Sequence, residues 1–251
     1  MIKRNKYKID GVFGRKKIDI EIALNSKSDV LYILLHGAYG KAYHTTSTKY
    51  QKLSKILSKH SSVGFYQTSR WFMQKEKPNL SYDEYRDQSF GGKSFLDEWE
   101  DVQRGANEIL RSYGNEFEKP PKKIVCVGFS LGGLWSIMLS KDIKIISDIY
   151  MFGSGIKFMI PKTYPLFESF PSADFFATFL SNYSGNLHVI HGSEDELTGK
   201  EEAQKLFDLA KNSPARSYEE WLGVDHQFTY RNDLQCEDEL VDKIIKTIIY
   251  R

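Results

Sequence analysis

The chain has 251 residues, a length that suits one α/β domain or two small ones. Its residues are 41% hydrophobic and 27% charged, a composition that excludes a largely disordered protein. Its 35 basic and 33 acidic residues give a net charge of +2, which argues against a nucleic-acid-binding protein with a concentrated basic surface. Two cysteines are too few for a secreted disulfide scaffold, and we find no signal peptide and no apolar run long enough for a membrane span, so we expect a cytoplasmic protein.

Short apolar runs alternate with helical patterns, which predicts an α/β domain with a mostly parallel sheet and helices on both faces. The run Lys17–Leu24 alternates with a period of two, which is typical of a half-buried antiparallel strand. The run Val30–Leu35 is continuously apolar, as expected of a buried parallel strand. The other strand candidates are a weak edge strand near Lys6–Asp10, then Ser62–Gln67, Lys123–Val127, Asp148–Phe152, Leu187–Ile190 and Ser217–Trp221.

Segments between these strands place apolar residues at helical spacing, and we interpret each apolar stripe as core packing. The predicted helices are Tyr50–Lys59, Phe95–Ser112, Leu131–Ser140, Lys200–Ala210 and Glu237–Tyr250. Two segments exceed ordinary loop length: Ser69–Ser94 is polar and charged, and Gly153–Gly185 is rich in aromatic residues. We interpret each of them as a functional excursion or a small subdomain.

The hexapeptide GFSLGG at 128–133 follows the strand candidate KIVCV and opens an apolar helix. A serine at such a strand-to-helix turn takes a strained backbone conformation, and glycines two positions to either side leave room for it. This context predicts that Ser130 is a nucleophile. The pattern alone is weak because glycine and serine are common, and the alternative is a glycine-rich turn with an incidental serine.

The strand candidate VLYILL runs into a second turn, HGAYG at 36–40. The tetrahedral intermediate of acyl transfer needs backbone N–H donors for its oxyanion. We predict that Leu131, directly after the serine, provides one donor and Ala38 the other, with Tyr39 as an alternative. We interpret His36 as a structural histidine that hydrogen-bonds within the turn.

Two later turns offer a base and a carboxylate. HGSEDEL at 191–197 contains Asp195, which can orient an imidazole and stabilise its charged form, although Glu194 and Glu196 are nearby alternatives. Asp195 could also be a helix N-cap. GVDHQF at 223–228 contains His226, the candidate general base, although a lone loop histidine is more often merely solvated.

With these four motifs, each after a strand candidate, the chain resembles the α/β-hydrolase superfamily over nearly its whole length. The resemblance implies a three-layer fold whose eight-stranded, mostly parallel sheet has an antiparallel second strand. It also implies a Ser130–Asp195–His226 triad, acyl-transfer chemistry and a single domain over 1–251 with a short lid at about 153–185. The stretch FGGKSFLDEWEDV at 90–102 resembles small esterase- and aminopeptidase-like members.

We expect a serine esterase that acts on a small-molecule carboxylic ester without a cofactor or metal. The histidines lack the H-E-x-x-H spacing of a zinc helix, and GFSLGG is not the G-x-G-x-x-G of a dinucleotide enzyme. A thioesterase or an amide or peptide hydrolase would use the same triad. A non-catalytic hydrolase-like binding protein is the rival from another class, and the oligomeric state is left open.

Three further residues are candidate substrate contacts: Tyr39, Phe129 and Arg70. The planar guanidinium of Arg70 suits a carboxylate or phosphate, although such an arginine is more often structural. The aromatic residues of 153–185 indicate a pocket for an apolar acyl or aryl group. The alternative is that they only pack a cap helix.

Overall fold

The computed structural model describes residues 2–13, 17–38, 49–70, 79–158, 164–228 and 236–250. In these ranges the strands are β1 (Ile2–Asp10), β2 (Lys17–Asn25), β3 (Val30–Leu35), β4 (Ser62–Gln67), β5 (Lys123–Phe129), β6 (Ile146–Phe152), β7 (Asn186–Glu194) and β8 (Arg216–Asp225). The helices are α1 (Lys49–Leu57), α2 (Tyr82–Phe90), α3 (Phe95–Phe117), α4 (Leu131–Asp142), α5 (Pro165–Glu168), α6 (Ala173–Asn182), α7 (Lys200–Leu209) and α8 (Cys236–Ile249).

The strands form one open eight-stranded sheet in the order β1-β2-β4-β3-β5-β6-β7-β8. β2 pairs antiparallel with both β1 and β4, and the pairs from β4 to β8 are parallel. The predicted eight-stranded, mostly parallel sheet with an antiparallel second strand is therefore confirmed. Because parallel strands end at the same edge, the turns after β3, β5, β7 and β8 lie together there.

Helices cover both faces of the sheet, and each face has its own apolar core. On one face the strands pack against α1 and α8, with Leu53 and Ile244 buried. On the other face they pack against α3, α4 and α7. Ile33 and Leu34 of β3 belong to opposite cores, which explains why this strand is continuously apolar. Among the described residues, no helix is both long enough and apolar enough to cross a bilayer.

Strand β2 differs from the half-buried strand that its alternating sequence predicts, because both of its faces are covered. Its charged residues Asp19 and Glu21 are buried. Lys8 and Lys6, their direct partners on β1, form ion pairs with them at 3.0 Å and 2.7 Å respectively. The lysines of the edge strand thus cover the polar face of β2, and their partly exposed ammonium groups keep the sheet edge charged.

The two long segments contain helices that pack against each other. α2 lies within 69–94 and begins with a capping box between Ser81 and Glu84. α5 and α6 lie within 153–185, and the Phe90 ring contacts Tyr164 and Phe167 there at centroid distances of 5.1 Å and 5.8 Å. Residues 71–78 and 159–163 of these segments lie outside the described residues, and the predicted lid stays a prediction.

Candidate active site

Ser130 occupies the turn between β5 and α4. Its φ of 54° and ψ of −122° are values that residues with a side chain rarely adopt, and such strain concentrates at functional sites. The Ser130 N–H donates to Phe152 O at 2.8 Å, and Ser154 Oγ donates to Ser130 O at 2.7 Å. These two bonds hold the backbone of Ser130 on both sides.

The glycines around Ser130 allow neighbouring backbone segments to pack in direct contact with each other. A Cβ atom on Gly128 would lie 2.3 Å from the Gly132 carbonyl, and one on Gly132 would lie 2.3 Å from Leu35 O. No side chain fits at either position, so the pattern G-x-S-x-G lets α4 start directly against the end of β3.

Ser130, His226 and Asp195 form a continuous hydrogen-bonded chain at the carboxyl edge of the sheet. His226 Nε2 lies 2.9 Å from Ser130 Oγ, and His226 Nδ1 lies 2.9 Å from each Asp195 oxygen. Asp195 directly follows β7 and His226 directly follows β8. The three turns singled out in the sequence are therefore brought into contact in the arrangement that serine hydrolases use to activate a serine.

The Asp195 carboxylate is held by backbone groups. Its Oδ1 accepts the N–H of Leu197 at 3.0 Å and of Thr198 at 2.8 Å, and its side chain is buried. An ionised carboxylate can only accept, so His226 Nδ1 must carry a proton. In the neutral imidazole Nε2 then carries no hydrogen and can accept the Ser130 hydroxyl proton.

The geometry of this loop does not fit Glu194 or Glu196 as the orienting carboxylate, nor Asp195 as a helix N-cap. Glu194 and Glu196 are both exposed. The following helix α7 is capped by Gly199, so Asp195 is not its N-cap.

Ala38 and Leu131 lie beside Ser130 and line the same cavity. Leu131 is the first residue of α4, where the N–H groups have no partner within the helix. These N–H donors and the positive end of the helix dipole favour negative charge at this point. Both residues predicted as oxyanion donors are thus placed next to the serine.

His36 is fully buried and holds the turn that contains Ala38. The Thr68 N–H points to His36 Nε2 at 3.3 Å, and because a peptide N–H only donates, His36 Nδ1 carries the proton and donates to Gly37 O at 2.8 Å. Burial lowers the pKa of His36 to about 4, so the imidazole is neutral.

Arg70 does not reach the cavity, which contradicts the expected substrate contact. Its side chain is 0% exposed. Nε and Nη2 donate to the two carboxylate oxygens of Glu98 at 2.9 Å and 2.8 Å, and Nη1 donates to Ala38 O. Burial alone raises the pKa of Glu98, but the contacts with Arg70 outweigh it and lower the pKa below its usual range.

Phe129 faces the opposite side of the sheet from the cavity, so its expected substrate contact is also wrong. It is 3% exposed and belongs to the core under α1 and α8. Its ring stacks on Phe152 at 5.1 Å and meets Tyr50 edge-on at 5.5 Å. Adjacent residues of a strand point to opposite faces, and Phe129 ends β5. Tyr39 lies outside the described residues, so its role as a contact or a donor stays a prediction.

A cavity of 440 Å³ opens beside Ser130. Its apolar wall includes Ile156, Phe158, Phe167 and Phe170, from the aromatic segment 153–185. Phe158, Phe167 and Phe170 also pack in or against the core. So do other aromatic residues of the same segment that do not line this cavity: Tyr164, Phe176, Phe179 and Tyr183. Sequence reasoning indicated a pocket here without dividing wall residues from packing residues, because no local pattern distinguishes them.

Cys126 is poorly suited to chemistry at this edge, because it is fully buried and burial raises the pKa of its thiol. Across the ranges that the structure describes, no group of three or more His, Cys, Asp or Glu residues is placed to hold a metal ion.

No family model matches the chain, and no curated protein matches its sequence. Solved structures match it over 98% of its length. Est1E from Butyrivibrio proteoclasticus, also solved with ferulic acid bound, is 14% identical, with a TM-score of 0.61 and 99% of its own chain covered. The esterase Pf2001 of Pyrococcus furiosus is 18% identical, with a TM-score of 0.63 and 90% covered. Dienelactone hydrolase from Anabaena variabilis is 11% identical, with a TM-score of 0.60 and 95% covered. At these identities the likeness establishes a shared fold.

Proposed function

We propose that this chain is a serine hydrolase that cleaves a carboxylic ester through an acyl-enzyme. The chain has the α/β-hydrolase fold that its sequence motifs indicated. The proposal depends above all on the hydrogen-bonded chain Ser130–His226–Asp195, with 2.9 Å at each step. A purely binding descendant of the fold needs neither this chain of contacts nor the strained backbone at Ser130, so the non-catalytic alternative has less support.

The reaction begins when His226 Nε2 takes the proton of Ser130 Oγ as the oxygen attacks the ester carbonyl. The carbonyl oxygen becomes an oxyanion, which accepts hydrogen bonds from the N–H groups of Leu131 and Ala38. His226 then protonates the leaving alkoxide oxygen, and the alcohol departs. A water molecule, deprotonated by His226, attacks the acyl-enzyme, and the acid leaves as Ser130 regains its proton.

The electrostatic role of Asp195 follows from its fixed position. The imidazole becomes positively charged in both halves of the reaction, and the buried carboxylate stabilises that charge. Because Leu197 and Thr198 hold Oδ1, the carboxylate needs no rearrangement when the charge appears.

The cavity supports a substrate with an apolar or aromatic acyl group. Its wall of Phe158, Phe167 and Phe170 and its volume of 440 Å³ suit a small to medium group beside Ser130. The similarity in fold to Est1E, solved with ferulic acid, and to the esterase Pf2001 supports an ester of this kind. The leaving group is not determined by the triad, so thioester and amide cleavage are outcomes of the test below.

The test combines covalent labelling with a substrate panel. We expect a fluorophosphonate probe to label the wild-type protein, and Ser130→Ala to abolish labelling and to reduce hydrolysis of p-nitrophenyl esters by about 10⁴-fold or more. Ser140→Ala is the matched control on α4, because Ser140 Oγ only donates to Ile137 O at 2.7 Å. Full labelling of Ser130→Ala would exclude this nucleophile. Faster turnover of the thioester or anilide with the same acyl group would replace the esterase assignment.

A further inference from the structure

Ala38 is held through the peptide groups on both sides of it. His36 Nδ1–H donates to Gly37 O at 2.8 Å, and Arg70 Nη1 donates to Ala38 O. The described chain contains no cis peptide bond, so the N–H of Ala38 points away from Gly37 O in the same peptide plane. Because the hydrogen bond from His36 fixes Gly37 O, it also fixes the direction of the Ala38 N–H, which is opposite to that of Gly37 O. The hydrogen bond from Arg70 to Ala38 O holds the next peptide plane.

Arg70 is itself fixed in place. Its guanidinium forms a bidentate salt bridge with Glu98 of α3. Glu98 also accepts a hydrogen bond from the Thr68 hydroxyl at 3.0 Å. The guanidinium lies over the Phe90 ring at 4.6 Å, and both charged side chains are at most 1% exposed. A buried ion pair of this kind often adds no more stability than apolar residues of similar size. The hydrogen bond from this ion pair to Ala38 O therefore indicates a role other than stabilisation of the fold.

We propose that Arg70, held by Glu98, is a positioning residue that fixes the Ala38 N–H for the oxyanion of the reaction. The inference rests on the proposed acyl-transfer function. A planar guanidinium can bind a carboxylate with two N–H groups while a third reaches a carbonyl oxygen, which an ammonium group cannot do with the same geometry. Arg70 acts only through Ala38 and does not touch the substrate.

Two variants separate this role from simple stabilisation. Arg70→Met removes the donor to Ala38 O but leaves the Glu98 charge buried without its partner, which can prevent folding. The double variant Arg70→Met/Glu98→Leu removes both charges and is expected to fold, because an apolar pair can replace a buried ion pair. Arg111→Met is the matched control, because Arg111 forms a similar bidentate salt bridge with Glu108 on the exposed side of α3, at 2.8 Å and 2.5 Å.

The first readout is kcat for a p-nitrophenyl ester, divided by the concentration of sites titrated with the fluorophosphonate. We expect the double variant to lose about 10- to 100-fold in kcat per titrated site, with KM changed less than about threefold, because a misplaced oxyanion donor affects mainly the transition state. A trifluoromethyl ketone, whose serine adduct carries an oxyanion, should lose affinity by a similar factor. Unchanged kcat per titrated site in the folded double variant would overturn the proposal.

The second readout does not depend on activity. Hydrogen exchange of the peptide that contains residues 31–38 should become faster in the double variant and stay unchanged in Arg111→Met. Unchanged exchange in the double variant would show that Arg70 does not hold the turn. If the wild-type protein shows no hydrolysis that requires Ser130, the proposed function fails, and the exchange result still decides whether Arg70 fixes Ala38.

Discussion

Both carboxylate oxygens of Asp195 lie 2.9 Å from Nδ1 of His226, while Oδ1 alone accepts two further N–H groups, from Leu197 and Thr198. An asparagine at this position would have to keep its carbonyl oxygen toward those two backbone donors. Its NH₂ group would then face His226 Nδ1 and turn that nitrogen into an acceptor. The proton would move to Nε2, which could no longer accept the hydroxyl proton of Ser130.

We therefore predict that Asp195→Asn folds normally but loses about 10³- to 10⁴-fold in kcat for a p-nitrophenyl ester. Circular dichroism and thermal unfolding check the fold, and steady-state kinetics check the loss. Glu194→Gln is the control, since this neighbouring carboxylate is exposed, and it should keep nearly full activity. The opposite pattern would make Glu194 the orienting carboxylate.

Gly132→Ala should reduce both stability and activity. The added Cβ would lie 2.3 Å from Leu35 O, a backbone atom at the end of β3 that cannot rotate away. Relief requires α4 to move, and this shifts the Leu131 N–H from its place beside Ser130. We expect a loss of about 1–3 kcal/mol in the free energy of unfolding, as for other overpacked sites, together with a lower kcat.

Gly114→Ala is the matched control for that substitution. Gly114 also lies in a helix, α3, but a Cβ there would meet nothing within 4 Å. Alanine is the better helix former, so we expect this variant to gain about 0.5–1 kcal/mol with unchanged kcat. Denaturant unfolding of the two variants compares them directly. Equal effects on stability would show that the close contact at Gly132 has no energetic consequence.

His36 should make the protein less stable in acid. In the unfolded chain its imidazole binds a proton near the ordinary pKa of 6.5, whereas burial lowers the folded-state pKa to about 4. The unfolded state therefore binds more protons between these values, so stability falls as the pH falls from 6.5 to 4. The difference corresponds to about 3 kcal/mol.

His36→Asn isolates this contribution. The asparagine amide can still donate to Gly37 O but does not titrate. We expect the free energy of unfolding to fall by about 3 kcal/mol less in this variant over the same pH range. His60→Asn, which removes an exposed histidine, is the matched control. Parallel curves for wild type and His36→Asn would contradict a neutral buried His36.

Residues that follow a strand were predictable from the sequence, because the strand candidates place them at the carboxyl edge. β3 and β4 have the predicted bounds, and Ser130, Asp195 and His226 each follow a strand candidate in the order that the resemblance implies. Contacts between distant segments were not predictable. Nothing in the sequence near Arg70 indicates its pairing with a glutamate 28 positions later.

Local sequence patterns gave a wrong prediction for β2 and none for α2. β2 alternates like a half-exposed strand, but its charged face is covered by the lysines of β1, and that cover depends on the pairing of the two strands. α2 was not predicted because its segment is polar, and its N-terminus is stabilised by the capping box at Ser81. In both cases side-chain contacts outside the hydrophobic pattern determine the structure.

Phe170 should limit the length of the acyl group. Its ring lines the cavity beside Ser130 and packs against Phe95 and Phe176 at 5.3 Å and 5.4 Å. Phe179→Ala is the matched control, because Phe179 lies on α6, contacts Phe175 at 5.0 Å and does not line this cavity.

We predict that Phe170→Ala enlarges the cavity and raises the ratio of kcat/KM for p-nitrophenyl octanoate over butyrate by about tenfold, because a deeper apolar pocket favours the added methylene groups. Phe179→Ala removes a similar ring from the same segment and should leave this ratio unchanged. Equal changes in the two variants would mean that the segment responds as a whole, and no change in either would place the acyl group outside this cavity.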